Sequence, residues 1–272
     1  MLFSIVIANY NYGKYLSNAI NSVLNQTCKD YELIIVDGGS TDNSLNIIKL
    51  YEKDLAWWVS EPDRGQSDAF NKGFSRAKGD FFLWLNSDDL LTPKALEHAK
   101  DSIEKNPSVK WFFGNTLYID NNDHVCHVSR GCNFSNCLCR YGYIIPSGPT
   151  TFFHRSVFEK FGPFEVEYHY TMDGDLWRKF VNGGVNYKMI NYFCWVFRLH
   201  EESKTSGVFL GGENPKVSSE ENLQKKRNQI VSKSYIKIIQ MLKRYITCYP
   251  IILFYKMKYK GVDISSVLSI IN

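Results

Sequence analysis

The chain offers no apolar run near the roughly 20 residues that a bilayer-spanning helix needs; Ile251 to Tyr255, IILFY, falls far short. The first residues, MLFSIVIANYNYGKY, also lack the basic and long apolar regions of a signal peptide. Folding is therefore expected to begin in the cytosol, and a cytoplasmic location is expected. No GxGxxG follows the first apolar run, which excludes the fingerprint of a dinucleotide-dependent oxidoreductase. ANYNYGKY offers no glycine-rich, Arg- and Lys-bearing activation loop of the kind a sugar nucleotidyltransferase needs. The seven cysteines include no CxxC pair. An odd number without an export signal reads as reduced thiols rather than a disulfide framework. His124, Cys126, His127, Cys132, Cys137 and Cys139 crowd together without regular zinc-knuckle spacing, and free cysteine is commonly a small buried apolar residue. The net charge of +4 is too small to argue for nucleic acid, which is not an expected partner.

What is present is an alternation of short apolar runs with helical patterns. Phe3 to Ala8 reads as a strand, and Leu16, Ala19, Ile20, Val23 and Leu24 share one helix face. Leu33 to Val36 is a second strand. Gly38 to Asp42 then supplies turn and cap residues ahead of a helix with Leu45, Ile47, Ile48 and Leu50 inward. Leu55 to Val59, Ser67 to Ala77 and Asp80 to Leu85 continue as strand, helix and strand. This β-α-β order predicts an α/β protein with a mostly parallel sheet between helices. Ligands of such sheets lie beyond the carboxyl ends of the strands.

Those ends carry Asn9 to Asn11, Asp37 to Ser40, Glu61 to Arg64 and Asn86 to Asp89. An acidic strand end can accept hydrogen bonds from a base or ribose, Tyr10 can cover a ring, and Arg64 can neutralise phosphate. The fourth end is the most informative. In FFLWLNSDDLL, Asp88 and Asp89 leave a buried strand side by side, and such like charges raise each other's pKa unless a cation or donors favour both. A divalent metal carrying a phosphate would do so. Further on, Asp173 and Asp175 in HYTMDGDLWRKF would point about 200° apart on a helix. They are not expected to act as a pair; one is expected to be a cap or a solvated residue. His200, in FRLHEESKTS, can ligate a metal or donate to diphosphate.

Five segments in order, SIVIANYN at 4–11, SVLNQT at 22–27, YELIIVDGGSTD at 31–42, EPDRGQSDAFNKG at 61–73 and GDFFLWLNSDD at 79–89, resemble the family-two glycosyltransferases of GT-A fold, a group with bacterial capsule and O-antigen enzymes. The resemblance runs over about Ser4 to Ser206. It implies that Asn9 and Tyr10 line a nucleotide pocket, with Asp37 on the base and Ser40 beside it. Arg64, Asp68 and Asn71 would approach ribose, diphosphate and sugar. Asn86 to Asp88 stands in the place of the family's Asp-x-Asp motif, with Asn86 where an aspartate is usual. Asp88 is the implied metal ligand, with Asp89 and His200 beside it, for Mn²⁺ or Mg²⁺. Met172-Asp173 ahead of Leu176-Trp177 aligns with the family's Glu-Asp motif, which makes Asp173 the implied base. Ser203, Lys204 and Thr205 would lie on a closing loop.

The activity implied is inverting transfer of one sugar from a nucleotide sugar, expected to be a UDP-sugar, to a hydroxyl of a glycan or lipid-linked glycan. The Gln-x-x-Arg-Trp motif of processive synthases is absent, which favours single transfer. A non-catalytic glycan- or nucleotide-binding protein stays open, because Asn86 departs from the acidic motif. The expected units are a catalytic domain over 1–215, divided into a nucleotide-sugar part (1–115) and an acceptor part (116–215), and a basic helical extension over 216–272. From Val217 to Lys260 ten basic residues face two acidic ones. Such a segment suits either an anionic membrane surface at the inner face or a helical hairpin packed on the catalytic domain.

Overall fold

The computed structural model describes residues 1–130, 148–204, 216–220, 257–258 and 260–271. Strand β1 (Phe3–Asn9) is buried along nearly its whole length, as a central parallel strand covered on both faces must be. Helix α1 (Gly13–Leu24) returns along the sheet with Leu16, Ala19, Ile20 and Val23 inward. Then follow β2 (Tyr31–Asp37), α2 (Ser44–Leu50), β3 (Trp57–Ser60), α3 (Gln66–Arg76) and β4 (Phe81–Asn86). One detail of α2 differs from expectation. Ile47 and Ile48 are buried, but Leu50, the last residue of this short helix, is 81% exposed.

These four strands are parallel, and their register brings the polar ends level. Asn9 stands beside Asp37, Asp37 beside Ser60, and Ala8 beside Asn86. Beyond β4 the sheet becomes mixed. The remaining elements are β5 (Leu90–Leu91), α4 (Ala95–Lys105), β6 (Trp111–Ile119), β7 (Val125–Ser129), β8 (Thr151–His154), α5 (Arg155–Phe161), α6 (Met172–Asn182) and β9 (Tyr187–Arg198). The strand order is β3-β2-β1-β4-β8-β6-β9-β5, with β7 on β6. Strand β8 is antiparallel to both β4 and β6, whereas β9 runs parallel to β6 and antiparallel to β5.

Two apolar layers cover the sheet. One packs α1, α2 and α4 on Ile5, Ile7, Leu33, Ile35 and Leu83. The other packs α3, α5 and α6 on Val6, Ile34, Phe82 and Trp84. In the second layer Trp177 of α6 stacks on Trp84 and Trp111, with ring centroids 5.5 and 5.2 Å apart, which ties α6 to both halves of the sheet. Gly73 lets α3 approach β1 closely: a Cβ there would lie 2.3 Å from Val6 Cγ1.

The boundary expected at residue 115 falls inside β6, a strand buried from end to end, so the two parts share one sheet. The described pieces of the C-terminal extension also pack on the catalytic part. Residues 216–220 form a helical turn. Helix α7 (Ile264–Ile271) sets Ile264 and Val267 against Leu117, Ile119, Val125 and Val196. The apolar run 251–255, Thr205, and Cys132, Cys137 and Cys139 lie outside the described residues. Among the described residues no helix is long and apolar enough to cross a membrane.

Candidate active site

The parallel strand ends form one hydrogen-bonded plate. Asp37 Oδ1 accepts from Asn9 Nδ2 (2.7 Å) and Ser40 Oγ (2.6 Å), and its Oδ2 accepts from Ser40 N (2.9 Å) and Ser60 Oγ (2.6 Å). Burial pushes this carboxyl up, but the donors from Ser40, Ser60 and Asn9 outweigh it and hold the group below the usual carboxylate range. Asp37 thus stays ionised and locks β1, β2 and β3 together. Ser40 Oγ also accepts from the backbone of Asn11, whose φ of 56° turns the chain after β1. Tyr10, on this turn, is 59% exposed at the pocket mouth.

The turn after β4 separates the adjacent carboxylates. β5 pairs Leu90 with Val196 and so draws the turn against the end of β9. Asp89, 1% exposed, points inward and accepts from Arg198 N (3.0 Å) and Asn86 Nδ2 (2.8 Å). Burial, then the neighbouring Asp88, push its carboxyl well above the usual range. Asp89 does not line the pocket, and each of its oxygens accepts one of these hydrogen bonds, so in this structure it braces the turn. Asp88 faces the pocket, with Oδ2 3.0 Å from His200 Nε2. Asn86 lines the same wall, but its Oδ1 accepts from Gln66 Nε2 (2.6 Å) while its Nδ2 is given to Asp89.

Among the described residues no three His, Cys, Asp or Glu side chains group to hold a metal. Asp88 and His200 nonetheless fit a shared ion. The two side chains are hydrogen-bonded to each other in this structure, and a carboxylate and an imidazole are both ligand types that such an ion accepts. Mg²⁺ and Mn²⁺ sites of this kind take few protein ligands and complete their shells from phosphate and water. His200 itself is buried beside the rings of Tyr12 and Tyr15.

A cavity of about 370 Å³ opens above these ends, lined by Asn9, Tyr10, Asn86 and Asp88 on one side and by Asp173 on the other. Asp173 sits in the first turn of α6, where Oδ2 accepts from Gly148 N (3.1 Å) and Oδ1 from Gly174 N (2.7 Å). Burial pushes its carboxyl up despite these donors. Asp175 is neither a cap nor solvated: it is 1% exposed and paired with Lys179 at 3.0 Å. Of the expected site residues, Asp37, Ser40, Arg64, Asp68, Asn71, Asp89 and His200 stand outside the cavity lining. Arg64, with a side chain 74% exposed, pairs with Asp68 at 2.8 Å. Asn71 uses both ends of its amide on the backbone of Phe164, each at 2.9 Å, so it clamps the 162–164 turn instead of presenting itself to a ligand.

Several residues of the site escaped the sequence reading. Tyr118, Trp195 and Phe197 form an aromatic wall, with Tyr118 opposite Phe197 in the β6–β9 register and their rings 5.5 Å apart. The alternation of Phe193, Trp195 and Phe197 along β9 was the available signal. Arg198 was also missed. Its backbone holds Asp89, its Nε donates to Asp88 O (3.3 Å), and its guanidinium pairs with Asp123, so it braces the whole acidic turn. Lys204 lines the cavity as part of the loop expected to close. Tyr12 fastens that loop by donating to Glu202 O at 2.9 Å.

The sequence from residue 4 to residue 162, more than half the chain, matches the model of glycosyl transferase family 2. The chain belongs to this family. Among its family relatives, an uncharacterized glycosyltransferase of Nostoc is 47% identical over 100 residues, which is 36% of this chain and 31% of the relative. Another, from Rickettsia typhi, is 34% identical over 188 residues, 66% of this chain and 58% of the relative. The match thus spans less than two thirds of either relative's length. Among solved structures, S. aureus TarS 1–349 in complex with UDP-GlcNAc is 20% identical with a TM-score of 0.62, covering 76% of this chain and 61% of that one. Mannosyltransferase PcManGT from Pyrobaculum calidifontis, in complex with GDP-Man and Mn²⁺, is 16% identical with a TM-score of 0.58, covering 85% and 70%. The expected fold class stands: this family-two chain has the GT-A type of α/β fold, its central sheet mixed beyond β4.

Proposed function

We propose that this family-two protein transfers one sugar, with inversion, from a nucleotide sugar to a hydroxyl of a glycan or lipid-linked glycan. The observation that carries the reading is that Asp88, on the turn after β4, and Asp173, in the first turn of α6, line the same cavity. Asn9, Tyr10, Asp63 and Asn86 would hold the nucleotide end of the donor above the plate organised by Asp37. Arg64 and Asp68, paired at the rim, would meet its ribose and phosphates on closure. A Mn²⁺ or Mg²⁺ held by Asp88 and His200 would neutralise charge on the departing diphosphate. Asp173 would take the acceptor's proton as the hydroxyl oxygen attacks the anomeric carbon opposite the leaving group. Its upward shift by burial suits that role, since a base works best with a pKa near the working pH.

UDP is the preferred nucleotide because TarS, the structural relative with the higher TM-score of the two described above, is named with UDP-GlcNAc. Calorimetric titration with UDP and GDP, with and without Mn²⁺, tests the donor half of the reading. UDP is expected to bind at least tenfold more tightly with Mn²⁺, and Asp88→Ala is expected to remove that gain while leaving metal-free binding intact. Identical Mn²⁺ enhancement in Asp88→Ala would refute the assignment.

A further inference from the structure

The 169–171 segment leads directly into α6, and its His169 and Tyr170 line the cavity four and three residues before Asp173. Within this segment the backbone N–H groups of His169, Tyr170 and Thr171 all converge on one carboxylate. Glu220 Oε1 accepts from His169 N (3.0 Å), while Oε2 accepts from Tyr170 N (2.9 Å), Thr171 N (3.1 Å) and Thr171 Oγ1 (3.1 Å). Glu220 belongs to the helical turn at 216–220, remote in sequence and within the segment expected to be a separate extension.

Thr171 caps α6 without any hydrogen bond from its own side chain into the helix. The backbone donors of the cap residue and the two residues before it are satisfied by Glu220. A carboxylate receiving several amides is held far more firmly than a single surface contact, and negative charge there complements the helix dipole. Just before the segment, Ser67 Oγ donates to Tyr168 O at 3.0 Å. These contacts hold the cavity wall against the start of α6.

We propose that Glu220 is a positioning residue for the transfer: it clamps residues 169–171 and so sets His169, Tyr170 and Asp173 toward the acceptor. This rests on the reading of Asp173 as the base. The clamp touches the Asp173 side of the cavity and leaves the strand-end plate alone, so its loss should separate the two substrates. Misplacement of a reacting group by about 1 Å can cost roughly 100-fold in rate.

The test is Glu220→Gln, which keeps the volume but replaces one acceptor oxygen by a donor, with Glu220→Asp as the conservative variant. Amide exchange at 169–171 and steady-state kinetics are read together. In Glu220→Gln we expect exchange at these amides to rise at least tenfold, kcat to fall about 10- to 100-fold, acceptor KM to rise, and donor KM to stay within twofold; Glu220→Asp should recover part of kcat. Unchanged exchange overturns the clamp. Faster exchange with unchanged kcat and acceptor KM overturns the positioning role, as does an equal rise in donor KM. A wild-type protein that transfers sugar normally beside an equally active Glu220→Gln sinks this inference alone. A wild-type protein inactive with every donor sinks the function reading and this inference with it.

Discussion

Asp88 and Asp89 are neighbours in the chain but belong to different environments. Asp88 meets the cavity and His200, whereas Asp89 is enclosed by Asn86 and the backbone of Arg198. The charge problem posed by adjacent carboxylates is thus relieved mainly by turning one inward, where burial favours its neutral form. Asp173 is half-buried in the cavity wall, and there the upward shift carries a functional consequence. A base must be ionised, so activity is present above its pKa and lost below it. We expect kcat/KM to fall as pH drops through a value above the ordinary Asp pKa of about 3.9. Asp173→Asn should lower kcat by about 100- to 10,000-fold and abolish that limb. A pH–rate profile of both proteins checks this; an acid limb retained in Asp173→Asn would assign it elsewhere. Asp88 and the strand-end polar groups were legible because their types and positions imply ionic chemistry, whereas Asp173 stood out only through the resemblance to the family's Glu-Asp motif. The sequence did not expose the inward turn of Asp89 or the use of Asn71 on Phe164, since both depend on partners more than 90 residues away.

At the scale of elements, the parallel half of the fold was legible because each strand is a continuous apolar run followed by a polar end. The second half was less so. β5 is only Leu90–Leu91, and β8 enters the sheet antiparallel between β4 and β6, a pairing no local pattern announces. Packing between elements can be probed at Gly73. Gly→Ala in a helix interior ordinarily stabilises by up to about 1 kcal/mol. Here the added methyl would meet Val6 Cγ1 at 2.3 Å, and overpacking of this kind costs about 1–3 kcal/mol. Gly73→Ala is therefore expected to lower the urea midpoint with little change in the slope of the transition. A raised midpoint would mean that α3 and β1 do not approach as closely as described.

At the scale of the molecule, one sheet carries both halves of the site. The acidic turn is braced from β9 through Arg198, which reaches Asp123 and, through the backbone of Asp123, the start of α7. The opposite wall is held by Glu220. Both braces tie residues beyond 215 to the walls of the cavity. The central claim is that one cavity joins a nucleotide-sugar pole at Asp88 to a base at Asp173. Sugar transfer from a panel of UDP- and GDP-sugars to glycan and lipid-linked glycan acceptors, followed in wild type, Asp88→Ala and Asp173→Asn, tests it most directly. The account predicts a transferred sugar of inverted anomeric configuration in the wild type, and loss of transfer in both variants, with metal-free nucleotide binding kept in each. Wild-type rates in both variants would contradict it.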